Sequence, residues 1–241
     1  MALTDGLKGL WHMNNVWTDS SGKENDGVAT GAIFESASPI LGSHSGKFDG
    51  VDDFVSFGTD TNLSAYGKTA MSCSALVKLT ALPGAGWNAL MWCKRDTANN
   101  KGYLFVITET GSIFTRIYHS TTSAQSVSIG SVIAAGTTYN IIITYNDDGT
   151  KKLKIYVNNS EVTYASQTAG VGTINDDRTV PLYISKDGYD SSTKYNGLID
   201  EMAIWNRALT SGEISEIYNG GSWLEIPAPT AVGGGVWGSI R

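Results

Sequence analysis

Hydrophobic residues are densest between residues 198 and 205, where they occupy both faces of an extended chain. A strand with two apolar faces is expected to be covered on both sides. The residues assigned to the two faces are Leu198, Met202 and Ile204, and Ile199, Ala203 and Trp205, respectively. Asp200 and Glu201 interrupt this run on opposite faces. Because a carboxylate in such surroundings needs a cation or several hydrogen-bond donors, we expect both acids to have partners.

One short amphipathic helix is predicted immediately after this strand. Thr210 is a suitable N-cap, and Glu213 stands three residues later, which is the spacing of a capping box. An apolar stripe formed by Ile214, Ile217 and Tyr218 follows. The glycine pair at 220–221 then favours the end of the helix.

Alternation of apolar and polar residues predicts strands along most of the remaining chain. The clearest half-buried strand runs from Met71 to Leu79. Two hairpins are predicted, with their turns at residues 109–112 and 146–149. The other segments predicted as strands are Leu7 to Met13, Ala89 to Lys94, Tyr103 to Thr108, Ile113 to Tyr118, Tyr139 to Tyr145, Lys152 to Val157 and Pro181 to Ser185.

Composition agrees with one β-rich domain and limits its partners. The 241 residues include 28 glycines, and such sandwiches often form one unit of this length. The net charge of -6 and the lack of a Lys/Arg cluster argue against a nucleic-acid surface. No apolar run approaches the ~18 residues of a membrane span. The N-terminal residues lack the basic and apolar regions of a signal peptide.

Three motifs resemble those of laminin G-like, or concanavalin A-like lectin/glucanase, jelly-roll domains. The first is a loop after the first strand, the second is the segment 47–55, and the third is the strand–helix segment already described. The matching residues are Asp19, Ser21, Gly22, Asn25, Gly27 and Gly31; KFDGVDDFV at 47–55; and Gly197, Ile199, Asp200, Glu201, Ile204, Asn206, Arg207, Ala208, Leu209, Thr210, Glu213 and Ile214. The resemblance covers about residues 5–221. It implies an all-β fold, a two-sheet antiparallel β-sandwich (jelly roll) with one short C-terminal helix.

Residues 222–241 lie beyond this resemblance, so the predicted organisation is a jelly-roll domain at 1–221 and a Pro/Gly-rich C-terminal arm at 222–241. Pro227, Pro229 and the glycines at 233–235 exclude a helix or central strand. The arm is nevertheless rich in apolar residues. Two interpretations remain open: an end with a few residues packed on the domain, or an arm that docks onto a partner or a second copy.

The sequence predicts a non-catalytic protein. Retaining glycosidases of related sandwiches carry acids at alternating positions of one strand, and no such run occurs here. Two carboxylates that flank a glycosidic bond must lie within about 5–9.5 Å of each other. His12, His44 and His119 are scattered along the chain and form no nucleophile–histidine pattern.

A structural Ca²⁺ ion is the cofactor that the resemblance implies. Asp49, Asp52 and Asp53 surround Gly50 and offer hard oxygen ligands on a tight turn. By the resemblance, the ion would lie near Gly50 and Asp200, with Asp49 or Asp52 assisting. The alternative is that these acids only cap turns. The acidic and amide loop between Asp19 and Asp26 is a weaker candidate.

Candidate glycan-binding residues combine aromatic rings with polar neighbours, because a flat ring covers the apolar face of a pyranose while polar groups bind its hydroxyls. The candidates are Trp87, Asn88, Asp187, Tyr189 and Tyr195 in loops, and Arg116 and Tyr118 on a strand. The alternative for each ring is ordinary packing.

Cys73 and Cys93 both fall on apolar sides of predicted strands. They are either two buried thiols or, if their strands are neighbours, a disulfide.

These observations favour a non-catalytic recognition or adhesion module that binds a glycan or surface polysaccharide and is displayed on an extracellular or virion surface. The alternative is a structural decoration or fibre protein of a virion, in which the arm at 222–241 binds an assembly partner. A polysaccharide hydrolase or lyase is the third possibility.

Overall fold

The computed structural model describes residues 1–85, 88–187 and 194–230. In this part of the chain it contains sixteen strands, one α-helix and two short 3₁₀ turns. In chain order the strands are β1 (Leu7–Trp11), β2 (Val28–Thr30), β3 (Ile33–Glu35), β4 (Ser45–Asp49), β5 (Phe54–Ser56), β6 (Ala70–Leu79), β7 (Asn88–Asp96), β8 (Lys101–Thr108), β9 (Ile113–Ile117), β10 (Ala124–Ser128), β11 (Thr138–Asn146), β12 (Lys152–Val157), β13 (Ser160–Glu161), β14 (Tyr164–Thr168), β15 (Tyr183–Ile184) and β16 (Asn196–Trp205). The helix, α1, spans Ser211–Tyr218 and is followed by a 3₁₀ turn at Asn219–Gly221.

The strands form two antiparallel sheets, so the predicted all-β sandwich with one short helix is confirmed. The first sheet has the order β13-β12-β11-β6-β16-β4-β3, and β1 pairs with the Trp205 end of β16. The second has the order β14-β10-β9-β8-β7-β15-β5-β2. Their facing sides enclose one main core, in which Trp11, Trp92 and Tyr103 are completely buried.

The outer face of the first sheet is covered by α1 and the segments around it. A second apolar cluster there includes Trp205 of β16, Ile214 and Ile217 of α1, and Leu10 of β1. Strand β16 is therefore buried on both sides, as its pattern predicts. The capping box at the start of α1 is also present, because Thr210 and Glu213 each accept a hydrogen bond from the other's backbone N–H.

A bulge in β16 changes which residues face the main core. The pairing of β16 with β6 shifts between Asp200 and Ala203, and Glu201 has a φ of 46°. Because a bulge adds one residue, it reverses the alternation beyond it. Ile199 consequently shares the main core with Met202 and Ile204. The prediction that Ile199 faces the same side as Ala203 and Trp205 was therefore wrong.

The chain beyond the 3₁₀ turn continues along the outer face of the first sheet. Leu224 N donates to Ile217 O at 3.0 Å, and the Ile226 side chain is completely buried in the second cluster. Ile226 N also donates to Glu201 Oε2 at 3.0 Å. Residues 222–226, here called the C-terminal segment, are thus packed on the domain.

Cys73 and Cys93 are free thiols that belong to different sheets. Cys73 lies in the main core, whereas Cys93 lies in a separate cluster on the outer face of the second sheet. Because their strands are not neighbours, the two thiols do not meet the condition for a disulfide.

Among the helices of the described ranges, none is long and apolar enough to cross a bilayer.

Candidate functional site

A row of side chains crosses the outer face of the second sheet. Successive strand pairs place six residues opposite one another, and paired residues project from the same face. In order across the sheet they are Tyr183, Cys93, Leu104, Arg116, Gln125 and Thr168. Strand alternation sends Ile113 and Ile117 of β9 into the core, so Phe114 and Arg116 must point outward.

Four residues of this face form a polar and aromatic surface, which we call the outer-face platform: Phe114, Arg116, Tyr118 and Gln125. The Arg116 guanidinium carbon lies 5.1 Å from the Phe114 ring centroid and 5.5 Å from that of Tyr118. An Arg116 Nη2–H donates to Gln125 Oε1 at 2.8 Å. Beneath these groups, Leu104 and Val106 supply a buried apolar floor that is separate from the main core.

Arg116 is positioned by aromatic rings and an amide rather than by an acid. Among the residues that the structure describes, no carboxylate forms an ion pair with its guanidinium. Arg116 Nε is buried and has no hydrogen-bond partner. The side chain therefore retains donors and a full positive charge on a half-buried aromatic surface, an arrangement that suits a ligand rich in oxygen acceptors.

Six of the seven predicted glycan-binding residues fall into three groups, and Tyr195 is a fourth case. Arg116 and Tyr118 are adjacent on the outer-face platform, although the Tyr118 side chain is buried. Asp187 is buried and forms an ion pair with Arg95. Trp87 and Tyr189, and the side chain of Asn88, lie outside the described residues.

Tyr195 is a core residue, so its assignment as a surface sugar ligand was wrong. Its side chain is completely buried, and its ring contacts that of Phe48 edge-on at 6.0 Å. The hydroxyl donates to Leu198 O at 3.0 Å. A ring in this position cannot stack on a saccharide.

Phe114 and Gln125 are platform residues that the sequence reasoning missed. The alternation of β9 places Phe114 on the same face as Arg116, and this signal was already present in the sequence. Gln125 could not have been found in that way, because its proximity depends on the register of β9 against β10.

Two clefts at one end of the sandwich form a second candidate surface. One has a volume of about 350 Å³ and is lined by residues that include Tyr66, Lys68, Tyr145 and Lys151. The other, about 510 Å³, is lined mainly by amide and hydroxyl side chains, and both clefts contact His119. We call them the end clefts. Tyr66 is 42% exposed, and the Arg178 guanidinium lies 4.9 Å from its ring centroid.

Three ionisable groups of the end clefts have shifted pKa values, and burial is the main cause in each case. Burial lowers the pKa of Lys68 to about 8 and that of His119 below its usual value, and it raises the pKa of Tyr145 to about 12. His119 Nε2 lies 3.0 Å from the Tyr145 hydroxyl, and its Nδ1 lies 3.1 Å from Ile117 O. These contacts make His119 a link between β9 and β11, which belong to different sheets.

The acids around Gly50 form a compact cluster. One carboxylate oxygen from each of Asp49, Asp52 and Asp53 lies within 4.8 Å of the others. Burial and the nearby charges of Asp49 and Asp52 raise the pKa of Asp53. Three carboxylates at this separation fit the oxygen-rich coordination of Ca²⁺. They also cap their own turn, since Asp49 Oδ1 accepts from Val51 N at 2.7 Å.

Asp200 does not belong to this cluster, and its predicted role as a ligand of the same ion was wrong. The register of β16 against β4 places Asn196 opposite Asp49, so Asp200 lies about 13 Å further along the strand. Its carboxylate accepts hydrogen bonds from Ser45 Oγ at 2.7 Å and Leu41 N at 3.1 Å. Burial, reinforced by the charge of Glu201, raises the pKa of Asp200 to about 7.

The Asp19 loop is held together by hydrogen bonds to one buried carboxylate. The buried Asp19 carboxylate accepts from Leu10 N, from Ser21 N and Oγ, and from Asn25 N and Nδ2, at 2.8 to 3.2 Å. Its oxygens are therefore already occupied by donors from the loop and β1. The weaker assignment of a metal to this loop stays a prediction.

Comparison with known proteins agrees with the fold. The model of a family described as the concanavalin A-like lectin/glucanases superfamily, Laminin_G_3, matches residues 49–215. Comparison with curated protein sequences gives no match.

Three solved structures illustrate the similarity. The binding domain of Paraclostridial Mosquitocidal Protein 1 has a TM-score of 0.72 and 16% identity, covering 90% of this chain and 53% of that chain. A second similar structure is that of Domain 4 of AbnA, a GH43 extracellular arabinanase from Geobacillus stearothermophilus, in complex with arabinotriose. Its TM-score is 0.61 at 16% identity, and the match covers 87% of this chain and 97% of that chain. The binding domain of botulinum neurotoxin DC in complex with SialylT has a TM-score of 0.65 and 15% identity, and the match covers 91% of this chain and 52% of that chain. This chain thus spans about half the length of the toxin binding domains it matches.

Proposed function

The chain belongs to the concanavalin A-like lectin/glucanase superfamily, and we propose that it is a non-catalytic glycan-binding module. The observation that carries this proposal is the outer-face platform. There an aromatic ring, an amide and an arginine without an acidic partner lie side by side on the face of a rigid sheet. Aromatic rings and convergent hydrogen-bond donors are the two features that saccharide recognition requires.

In this proposal the saccharide lies across the strands of the second sheet. The exposed part of the Phe114 ring contacts the apolar face of a sugar ring, while Arg116 donates to its hydroxyl or carboxylate oxygens. Gln125 fixes the guanidinium through its 2.8 Å hydrogen bond. Because these residues project from strands, their geometry is set before the ligand arrives, which lowers the entropic cost of binding.

The similar structures support binding rather than catalysis. One was solved as a domain in complex with arabinotriose, and another as a toxin binding domain in complex with SialylT. The four residues of the outer-face platform include no carboxylate, whereas glycoside hydrolysis normally needs two. We therefore expect binding without cleavage, at an extracellular or virion surface.

The proposal is tested by screening immobilised polysaccharides and oligosaccharides, followed by calorimetry on any that bind. We expect Phe114→Ala and Arg116→Gln each to weaken binding roughly tenfold or more, because each removes a central contact. Tyr66→Ala and Arg178→Gln are the matched controls, since they remove a similar ring–guanidinium pair at the end clefts.

Two outcomes contradict the proposal. If no saccharide binds the folded chain, glycan recognition is wrong. If Tyr66→Ala and Arg178→Gln abolish binding while the platform variants do not, the end clefts are the site and the assignment to the outer-face platform is wrong.

A structural role in a virion, with the arm at 222–241 for assembly, is the second candidate function. The feature that favours it is the apolar and glycine-rich composition of the arm. Its test is the mass in solution of the full chain beside a chain ending at Pro229, which keeps the C-terminal segment. Assembly of the full chain alone supports this function, and equal masses contradict it.

We also propose that the Asp49, Asp52 and Asp53 cluster binds Ca²⁺, which predicts a lower melting temperature in chelator than in Ca²⁺.

A further inference from the structure

Three metal-ligating side chains from separate parts of the chain converge beside the first sheet. His12 follows β1, Glu201 lies in the bulge of β16, and Glu225 belongs to the C-terminal segment. One ligand atom from each residue lies within 4.8 Å of the other two. His12 Nδ1 is 2.7 Å from Glu201 Oε1 and 3.9 Å from Glu225 Oε1.

The contacts within this group leave one carboxylate without a hydrogen bond. Glu201 is almost completely buried, and it accepts Ile226 N on its second oxygen at 3.0 Å. Glu225 is 56% exposed, yet its carboxylate points toward the imidazole nitrogen that Glu201 already contacts. Among the described residues, the contact of the Glu225 carboxylate is the one with His12, and it is longer than a hydrogen bond. Its carboxylate is therefore available to bind a cation.

The negative charges of this group also outnumber its possible positive charge. Two carboxylates face one imidazole, and the buried Asp200 precedes Glu201 directly. Among the described residues, no lysine or arginine forms an ion pair with Glu201 or Glu225. A divalent cation among these three residues would offset the excess negative charge at a partly buried position.

We propose that His12, Glu201 and Glu225 bind one divalent transition-metal ion, and that Zn²⁺ is the closest match to this donor set. One imidazole nitrogen and two carboxylate oxygens suit Zn²⁺ and leave a position for water, whereas Ca²⁺ prefers oxygen ligands throughout. The bound ion would connect the C-terminal segment to β1 and β16, and thereby fasten it to the domain.

The three ligand atoms need only small movements to surround a Zn²⁺ ion. Ligand atoms at about 2.0–2.1 Å from a tetrahedral Zn²⁺ are separated by roughly 3.3 Å. His12 Nδ1 and Glu201 Oε1, 2.7 Å apart, must therefore separate by about 0.6 Å, and Glu225 Oε1, 3.9 Å from His12 Nδ1, must approach that nitrogen by about 0.6 Å. The ligand atoms of Glu201 and Glu225 start within 4.8 Å of each other. His12 Nδ1 binds the ion through its lone pair, so the proton that it shares with Glu201 must leave Nδ1. An imidazolium releases this proton to solvent, whereas a neutral imidazole carries it on Nε2 instead.

The test uses the full chain, treated with chelator and titrated calorimetrically with ZnCl₂ and, separately, with CaCl₂. We expect one Zn²⁺ per chain and, for Glu225→Gln, an affinity lower by roughly tenfold or more. Glu225→Gln leaves the buried His12–Glu201 pair intact, and circular dichroism checks that it folds. Glu216→Gln is the matched control, because it makes the same charge change at an exposed position of α1.

A spectroscopic measurement identifies the ligands independently. Co²⁺ in place of Zn²⁺ should give absorption bands that His12→Gln abolishes and that a double variant, Asp49→Asn with Asp52→Asn, leaves unchanged. The proposal is overturned if the full chain binds no Zn²⁺ at millimolar concentration. It is also overturned if Glu225→Gln binds Zn²⁺ as tightly as the unaltered chain, or if only the Asp49 and Asp52 variant loses it.

Discussion

The buried carboxylates of this chain differ chiefly in which hydrogen-bond donors surround them. Asp19 is surrounded by donors from its own loop, whereas Glu213 accepts from both Arg207 and Thr210. Asp200 accepts hydrogen bonds, but among the described residues it forms no ion pair with a lysine or arginine. The pKa of Glu213 falls to about 2, since the hydrogen bonds from Arg207 and Thr210 outweigh the raising effect of burial. That of Asp200 rises, because there burial and the charge of Glu201 outweigh the hydrogen bonds.

Glu213 should make the stability of the protein depend on acid pH. Because its folded-state pKa lies below the unfolded value, its ionised form stabilises the fold above about pH 4.5, and this contribution is lost as pH falls toward 2. We expect Glu213→Gln to lower the free energy of unfolding at pH 7 by about 1–3 kcal/mol, from lost charge-assisted hydrogen bonds. The difference from the unaltered chain should shrink as pH falls from 4.5 to 2.

Denaturant titrations across this pH range measure the effect. Glu216→Gln, on the exposed side of the same helix, is the control and should follow the unaltered chain throughout. A constant difference between Glu213→Gln and the unaltered chain from pH 7 to pH 2 would contradict the role assigned to the Glu213 carboxylate.

At the scale of elements, β16 organises the first sheet because it contacts β1, β4 and β6. Its bulge turns Glu201 toward His12 and the C-terminal segment. That segment in turn places Ile226 among the residues of α1 and β1. Residues 222–226 therefore stabilise the domain in the same way as the helix does.

This packing predicts the effect of shortening the chain. A chain ending at Gly221 loses the buried Ile226 side chain and the donor to Glu201, whereas a chain ending at Pro229 retains both. We expect the shorter chain to unfold at a lower temperature, and Ile226→Ala in the full chain to cost about 2–4 kcal/mol. Thermal unfolding of the three proteins checks this. Equal melting temperatures for the two shortened chains would show that the segment contributes nothing.

At the scale of the whole molecule, the two sheets keep the two thiols apart and remove both from solvent. Cys73 and Cys93 are 0% and 1% exposed. Burial raises the pKa of Cys93 to about 12 and that of Cys73 further still. Since the thiolate is the reactive form, neither residue should react in the folded protein.

A thiol reagent tests this directly. We expect no labelling by an aromatic disulfide reagent under native conditions at pH 8, and two equivalents in denaturant. Addition of reductant should leave the melting temperature unchanged, because there is no disulfide to break. Rapid labelling of the folded chain, or a lower melting temperature in reductant, would contradict the separated and buried thiols.

The sequence predictions were correct where the interaction joins residues that are close along the chain, and they were wrong where it depends on the pairing of distant strands. The helix cap at Thr210 and the two-sided burial of β16 were predictable because each depends on residues a few positions apart. The position of Asp200 was not, because it depends on the register of β16 against β4. The outer-face position of Arg116 and Tyr118 was predictable from alternation within a strand, whereas the positions of Gln125 and the end clefts depend on pairing between strands and loops.

By itself, the sequence determined the fold class, the short helix and the family, because local hydrophobic periodicity and short motifs carry that information. Only the tertiary structure decided which polar side chains meet. It assigned Tyr195 to the core, separated Asp200 from the Asp49 turn, and brought Glu225 to His12 and Glu201. The physical reason is register: a shift of one residue in a strand pair, or one bulge, changes the neighbours of every side chain beyond it.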